Sequence, residues 1–507
     1  MFWSLLPDRE CGPDAELCAL AQQIVAFRRE AEEHVKESLR FPSVLCSRRK
    51  ELNVSLIYRR CAGLDVHKKS ISVSAQMRVV GAQPTTESAT FGTFTSDLQA
   101  MADWLKVRKV RHVAMESTGV YWKPVWNVLE STKWKFDLLL VNPQLVRALP
   151  GKKTDREDSE RISGYLQQGL LRGSFVPPQA TRELRELTRR RAHLQGDRNR
   201  VIHRMGRLLE TANVKLGSVI SNIVGKSGRA ILQAISGGES DPKALAGLTT
   251  GRLKCTQPDL EQALAGRYDE HLQWCLRELL EDLDALDRRV TAVELRIGQL
   301  TADQRDVMAR LCTLPGVDVI TAQTILAEIG TDMSQFPDAR HLASWAGLCP
   351  GNKESAGKRF SGRTRRGDRY LRRILVQNAW AVAHMDDCAL TALFYRVAAH
   401  AGMKKAAVAV AHRILMLAYY IIRDGTQYRE AGGDYYDRRN PAKTAKRLTR
   451  RLEKLGFAVT VKAPKEEPPK LRPGPLLGQT CKRCNAWGIA CIHVRPRPAG
   501  AAEAPSR

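Results

Sequence analysis

The apolar residues of this chain change period along its length. Between Cys61 and Pro178 they fall at alternate positions in short runs, LDVHKKSISVSA, ATFGTF, HVAMES and FDLLLVNP, which read as strands. Ser96–Lys106 and Tyr121–Thr132 space their apolar residues as helices do and separate the later runs. Two hairpin-like strands followed by alternating helix and strand predict an α/β domain with a mixed sheet over residues 59–178. It closes at Val176-Pro177-Pro178, where paired prolines stop a helix. Residues 1–58 hold one helical stretch, Glu16–Leu39, and no candidate chemistry; they are expected to be an N-terminal extension or to precede the true start.

Beyond the prolines the period is helical. Leu187, Leu194, Val201 and Leu208 recur every seven residues, and Leu276, Leu279, Leu283, Leu286, Val290, Val293, Ile297 and Leu300 alternate steps of three and four. Such a stripe is a coiled-coil seam, so residues 179–303 are expected to form a helical coiled-coil region. A hairpin within the chain or an oligomer contact would use the seam; an amphipathic helix packed on its own domain is the plainer alternative. Residues 304–427 read as a mainly helical unit containing the basic stretch GKRFSGRTRRGDRYLRR, and residues 428–507 as a basic tail, rich in Pro and Lys from Ala463.

Charge narrows the partners. In 507 residues, 81 Lys and Arg face 54 Asp and Glu, a formal charge of +27, while 43% hydrophobic residues suffice for packed cores. So large an excess calls for a polyanion, nucleic acid before an acidic membrane surface. The longest apolar stretch, Ala406–Ile422, carries His412 and Arg413 and falls short of the roughly 20 residues of a spanning helix, so no membrane role is expected. The start, MFWSLLPDRECG, has no secretory pattern, and twelve scattered cysteines suit a reduced compartment; the expected place is the cytoplasm, beside the nucleoid.

Within this basic chain, four acids stand out. Asp65 lies in an apolar-alternating strand, Glu116 ends an inner strand, and Asp155 and Asp158 open a helix at a spacing that puts both on one face. Singly, each has a plain structural reading: a turn acid, or a carboxylate near a helix N-terminus behind a Thr154 cap. Together, two strands and one helix supply hard oxygen ligands for Mg²⁺, with charge for a second ion, and two ions could serve both oxygens of a phosphodiester exchange.

The runs GLDVHKK, MESTG, LLLVNP and KTDREDSERIS resemble the ribonuclease H-like (RuvC-like) domain of DEDD transposases of the insertion-sequence-110 family. LPGV, TAQTILAEIG, SWAGLCPG, ESAGK and GDRYLRRILVQNAW resemble that family's C-terminal transposase domain, and the likeness runs in the family's order from about Ala62 to Leu455. The resemblance implies that Asp65, Glu116, Asp155 and Asp158 are a Mg²⁺-binding tetrad. It implies a recombinase that cuts and rejoins donor and target DNA through a serine in the C-terminal domain, guided by a noncoding bridge RNA. It also implies a homo-oligomer, dimer or tetramer, with sites shared between subunits.

By register the family serine falls on Ser355. The family usually has Ser-Gly-Gly where this chain has Ser355-Ala356-Gly357, which leaves Ser361 as a second candidate. The residues alone describe a basic loop, Lys358, Arg359, Arg363, Arg365, Arg366, Arg369 and Arg372, suited to clamping phosphates, in which a serine hydroxyl would sit in a cationic field. Two enzyme readings therefore stand: serine attack with a covalent protein–DNA intermediate, or a RuvC-like nuclease or junction resolvase using water. A non-catalytic nucleic-acid-binding protein is the rival from another class. Pro315-Gly316 could present helix N–H groups to a phosphate or be an ordinary helix entry. Val224-Gly225-Lys226-Ser227 lacks the leading glycine of a P-loop. Cys481, Cys484, Cys491 and His493 are either a small Zn²⁺ knuckle or free thiols in a tail.

Overall fold

A computed structural model describes residues 57–78, 85–117, 119–143, 155–251, 255–351 and 353–461. The chain separates into two units, with the boundary between Ser174 and Phe175. The possible zinc ligands Cys481, Cys484, Cys491 and His493 lie outside the described residues, as does the extension before Ile57.

The first unit is built on one sheet. Its strands are β1 (Arg60–Val66), β2 (Ile71–Met77), β3 (Thr85–Phe91), β4 (His112–Glu116) and β5 (Asp137–Val141), in the order β3-β2-β1-β4-β5. β1 pairs antiparallel with β2 and β2 with β3, while β1, β4 and β5 run parallel. The carboxyl ends of β1, β4 and β5 therefore share one sheet edge. α1 (Thr95–Val107) and α2 (Trp122–Ser131) join the later strands, and α3 (Asp155–Gln167) packs on β1 and β2. Central β1 is buried from Cys61 to Val66.

Small residues set how close α3 comes. A Cβ on Gly63 would stand 2.4 Å from both Ser159 O and Ser163 N. Only glycine admits this contact, and Ile162 and Leu166 then close on Cys61, Ala114 and Val141. The anticipated α/β class with a mixed sheet is what forms, and its strand order is compatible with a ribonuclease H-like fold.

In the second unit, α4 (Gln179–Thr211) leads through α5 (Leu216–Val219), α6 (Lys226–Ser236), α7 (Pro242–Gly247) and α8 (Gln257–Leu264) to α9 (Glu270–Leu300). α4 and α9 form an antiparallel hairpin: Leu184 near the start of α4 packs with Ile297 near the end of α9, and Arg198 Nε donates to Asp287 Oδ1 at 2.6 Å. The predicted seam is thus covered within the chain. Leu276, Leu283, Leu286, Val290 and Ile297 are buried as expected, but Leu280 rather than Leu279 enters the core, joined by Leu272. α5–α8 pack their apolar residues into the same core, including Leu216, Ile231, Ile235, Leu245 and Leu260.

The remaining helices are α10 (Arg305–Leu311), α11 (Val319–Ile329), α12 (Ala339–Trp345), α13 (Arg369–Val382), α14 (Ala389–Ala401), α15 (Met403–Asp424), α16 (Tyr435–Arg438) and α17 (Pro441–Lys454). α15 is long and apolar enough to cross a membrane by length and composition alone. Its Ala406, Val410, Ile414, Leu415 and Ala418 instead pack into the helical core with Leu326, Leu375 and Phe394. The Pro315-Gly316 turn is held by close contact: Gly316 has φ +76°, and a Cβ there would lie 2.7 Å from Val382 Cγ2 and 3.1 Å from Asn378 O. Asp318 then caps α11 by accepting from Thr321 N at 2.8 Å, as an ordinary helix entry does.

Candidate active site and nucleic-acid interface

Asp65 is next to last in β1 and Glu116 is last in β4. The pairing of Leu64 with Met115 sets these two acids side by side on adjacent parallel strands. Gly63 and Asp65, two apart on a strand, share the sheet face that α3 covers. Asp158 adjoins Ser159, the residue that touches Gly63, so the close helix crossing brings the third acid to the same place. Asp155 begins α3 one turn earlier, on Asp158's face; its side chain lies outside the described part of the structure.

Burial lifts the Asp65 carboxyl above its ordinary range, and the charges of Glu116 and Asp158 lift it further, against the pull of His67. His67 Nε2 lies 3.1 Å from Asp65 Oδ2, and Arg161 Nη2 lies 2.7 Å from Asp158 Oδ1. That same Asp158 oxygen is buried and makes no hydrogen bond of acceptable geometry. Among the described residues no three His, Cys, Asp or Glu side chains are disposed to hold a metal ion; Asp65 and Asp158 are turned toward His67 and Arg161. The donor chemistry nevertheless suits a hard cation: all the acids are oxygen donors and they repel one another.

The basic loop in the second unit is a hairpin. β6 (Lys353–Ser355) and β7 (Lys358–Ser361) pair antiparallel, with Ser355 opposite Lys358. The connecting residues Ala356 (φ +49°) and Gly357 (φ +74°) are both left-handed, the pattern of a two-residue type I′ turn. Ser355 is therefore the last residue before a tight tip. Ser361 stands at the other end of β7, where its Oγ accepts from Arg363 N at 3.1 Å.

Below the strands, Gly351 N donates to Arg363 O at 3.0 Å. The neck is pinched where a Cβ on Gly367 would lie 2.3 Å from Gly347 N. Lys358, Arg363, Arg365, Arg366 and Arg369 are exposed along this arm. Arg372 is half-buried and donates to Gly347 O at 3.1 Å, bracing the neck. The side chain of Arg359 lies outside the described part.

One cluster gave no local sequence signal. Fully buried Glu328 on α11 receives Arg189 Nε and Nη2, each at 2.8 Å, and Arg185 Nε at 2.9 Å. Arg189 Nη2 also reaches Asp368 Oδ2 at 2.8 Å, and Asp368 caps α13 through Tyr370 N and Leu371 N. Burial raises the Glu328 carboxyl, against the pull of Arg189 and Arg185. Tyr370, at the start of α13, accepts from Arg369 Nη2 at 2.7 Å, lies under the Arg189 guanidinium and stands 2.7 Å from His193 Nε2. Trp345, by contrast, packs on Phe175 and Phe336, as a core aromatic does.

Acids gather at the carboxyl edge of a mixed five-stranded sheet, and a cationic hairpin stands on a helical unit suited to nucleic-acid phosphates. Comparison with known proteins specifies the class. Residues 62–214 match the family model for DEDD-type IS110 transposases, described as "Transposase", and residues 308–396 match the model "Transposase IS116/IS110/IS902 family". A "Probable family 20 transposase" of Pseudomonas aeruginosa is 30% identical over 275 residues, covering 53% of this chain and 70% of that protein. The "Insertion element IS900 uncharacterized 42 kDa protein" of Mycobacterium paratuberculosis is 29% identical over 304 residues, 55% of this chain and 73% of that protein. The "Transposase for insertion sequence element IS1328" of Yersinia enterocolitica is 31% identical over 105 residues, 20% of this chain and 31% of that protein. The chain belongs to the IS110/IS116 family of transposases.

Proposed function

We propose that this transposase cuts and rejoins DNA through Ser355, with Asp65, Glu116, Asp155 and Asp158 as its Mg²⁺ ligands and a bridge RNA selecting donor and target. The observation that carries the metal role is the convergence of Asp65, Glu116 and Asp158 at one sheet edge, where their charges act on one another. Mg²⁺ held there would polarise the reacting phosphate and neutralise its charge. The chain's own residues do the rest. The Lys358–Arg369 arm grips phosphates, and the tight turn presents Ser355 at the tip. Attack by Oγ forms one P–O bond as another breaks. The seryl proton leaves to solvent or a base, and the leaving oxygen takes one up, so the phosphoserine ester keeps the bond energy needed for rejoining. Family register favours Ser355 over Ser361 as the nucleophile; the side chain of Ser355 lies outside the described part of the structure.

The test is a denaturing gel of the purified protein incubated with element-end DNA and Mg²⁺. A covalent protein–DNA species is expected, lost in Ser355→Ala and kept in Ser361→Ala. Cleavage without such a species, undiminished in Ser355→Ala, would establish attack by water instead. Asp65 and Ser355 belong to separate units, so the site is completed within one chain or between copies. A homo-oligomer with shared sites predicts that Asp65→Ala mixed with Ser355→Ala recovers activity that neither has alone.

A further inference from the structure

Three helices of the second unit leave a space between them. α4, α11 and α13 line a cleft of about 610 Å³, within the roughly 300–1,000 Å³ of small-molecule sites. Its walls differ from those of packed helices. On α4, Arg191, Gln195 and Asn199 succeed one another four residues apart and make one stripe; on α13, Arg373 and Gln377 do the same, beside Tyr370. Helix faces that pack together are apolar, whereas Asn199, Arg373 and Gln377 stay exposed along this cleft and are open to a polar ligand.

The groups define that partner's chemistry. Ile374 and Met385 offer apolar surface against which a nucleobase can lie, while the Tyr370 ring is already overlain by the Arg189 and Arg369 guanidinium groups. Gln195, Asn199 and Gln377 each carry both a donor and an acceptor, which a base edge matches, adenine best. The one lining carboxylate, Asp318, is engaged by Thr321 N at 2.8 Å and Thr321 Oγ1 at 2.7 Å. Arg191 is fixed by donating to Gln323 Oε1 at 2.6 Å, and Arg373 is exposed, so the balance of charge favours an anion. The cleft also lies where α13 leaves the basic arm: Arg369, adjoining Tyr370, is the arm's last exposed cation.

We propose that this cleft holds one unpaired nucleotide of the strand gripped by the arm, its base against Ile374 and Met385 and its phosphate toward Arg373. The assignment rests on the reading of the arm as a nucleic-acid clamp. DNA and RNA share the nucleotide, and the sugar distinguishes them in the test.

Full-length protein is irradiated with short single-stranded DNA or RNA carrying 8-azidoadenine, and the crosslinked peptides are mapped. Crosslinks to peptides bearing Ile374 or Met385 are expected. They should fall about tenfold in the double variant Asn199→Ala, Gln377→Ala, while crosslinks to the Lys358–Arg366 arm persist. A higher yield in the DNA or RNA arm of the experiment identifies the strand. Crosslinks confined to the Lys358–Arg366 arm, or cleft crosslinks as strong in the double variant, overturn the pocket and leave the clamp standing. Absence of crosslinks from both places overturns the clamp and the pocket together.

Discussion

Ala356 holds a left-handed backbone, φ +49°, at the first position of the turn beside Ser355. A side chain there costs roughly 1–2 kcal/mol, and glycine escapes that cost while losing more entropy on folding. Ala356→Gly is therefore expected to stabilise the hairpin by about 1 kcal/mol, seen as slower amide exchange over residues 353–361; unchanged or faster exchange would show that the turn is not strained. Residues of this kind divide by how they can be seen in a sequence. Asp65 stood out as an acid in an apolar-alternating strand, Glu116 as an acid ending an inner strand, and Asp158 by its spacing from Asp155 at the start of a helix. Glu328 could not, since its arginine partners lie 139 and 143 positions away in the chain and only folding makes them neighbours.

Helices and strands were easier to read than their partners. Heptad spacing showed the long helices α4 and α9 but not what covers them. The hairpin supplies that answer, and an oligomer contact is not needed to bury the seam. The exchange of Leu279 for Leu280 follows from geometry: a straight helix turns every 3.6 residues and drifts from a 3.5-residue repeat, so the stripe creeps round the helix. The basic arm looked like a loop because its β-strands are three and four residues long, below the length at which alternation is visible. Buried Glu328 joins α4 to α11 and, through Arg189 and Asp368, to the cap of α13. Glu328→Gln would leave Arg185 without its paired carboxylate and Arg189 with Asp368 alone, at a cost of about 3 kcal/mol. Urea unfolding of the variant should show an earlier transition; a midpoint equal to that of the parent would remove the cluster from the list of stabilising contacts.

At the scale of the whole molecule, the charge of +27 acquires a location. Its cations gather on α4, on the arm between Gly347 and Gly367, and on α17, whose exposed Leu448 and Leu452 alternate with lysines and arginines. A protein that grips strands through 6–10 phosphates loses about 10³–10⁵ in affinity between 50 and 200 mM salt. Fluorescence anisotropy on single-stranded DNA is expected to show a loss of that order; a shallow dependence would mean that the arm's arginines do not carry the binding. The sequence announced the polyanion and even the arm, but not the polar cleft at its foot, because one wall, α4, lies more than a hundred residues before the other two, α11 and α13.

The helical hairpin also has a mechanical meaning. Thirty-three residues of α4 extend about 50 Å; near its start Arg185 and Arg189 bind Glu328 on α11, and Arg189 also reaches Asp368, the cap of α13 beside the neck of the arm. A rod fixed at one end amplifies angle into distance: from Arg189 to Thr211 the helix spans about 33 Å, so a tilt of about 10° at that joint moves the far tip about 6 Å. Whatever grasps α5–α8 at the tip thus holds a lever whose fulcrum lies beside the arm that bears Ser355.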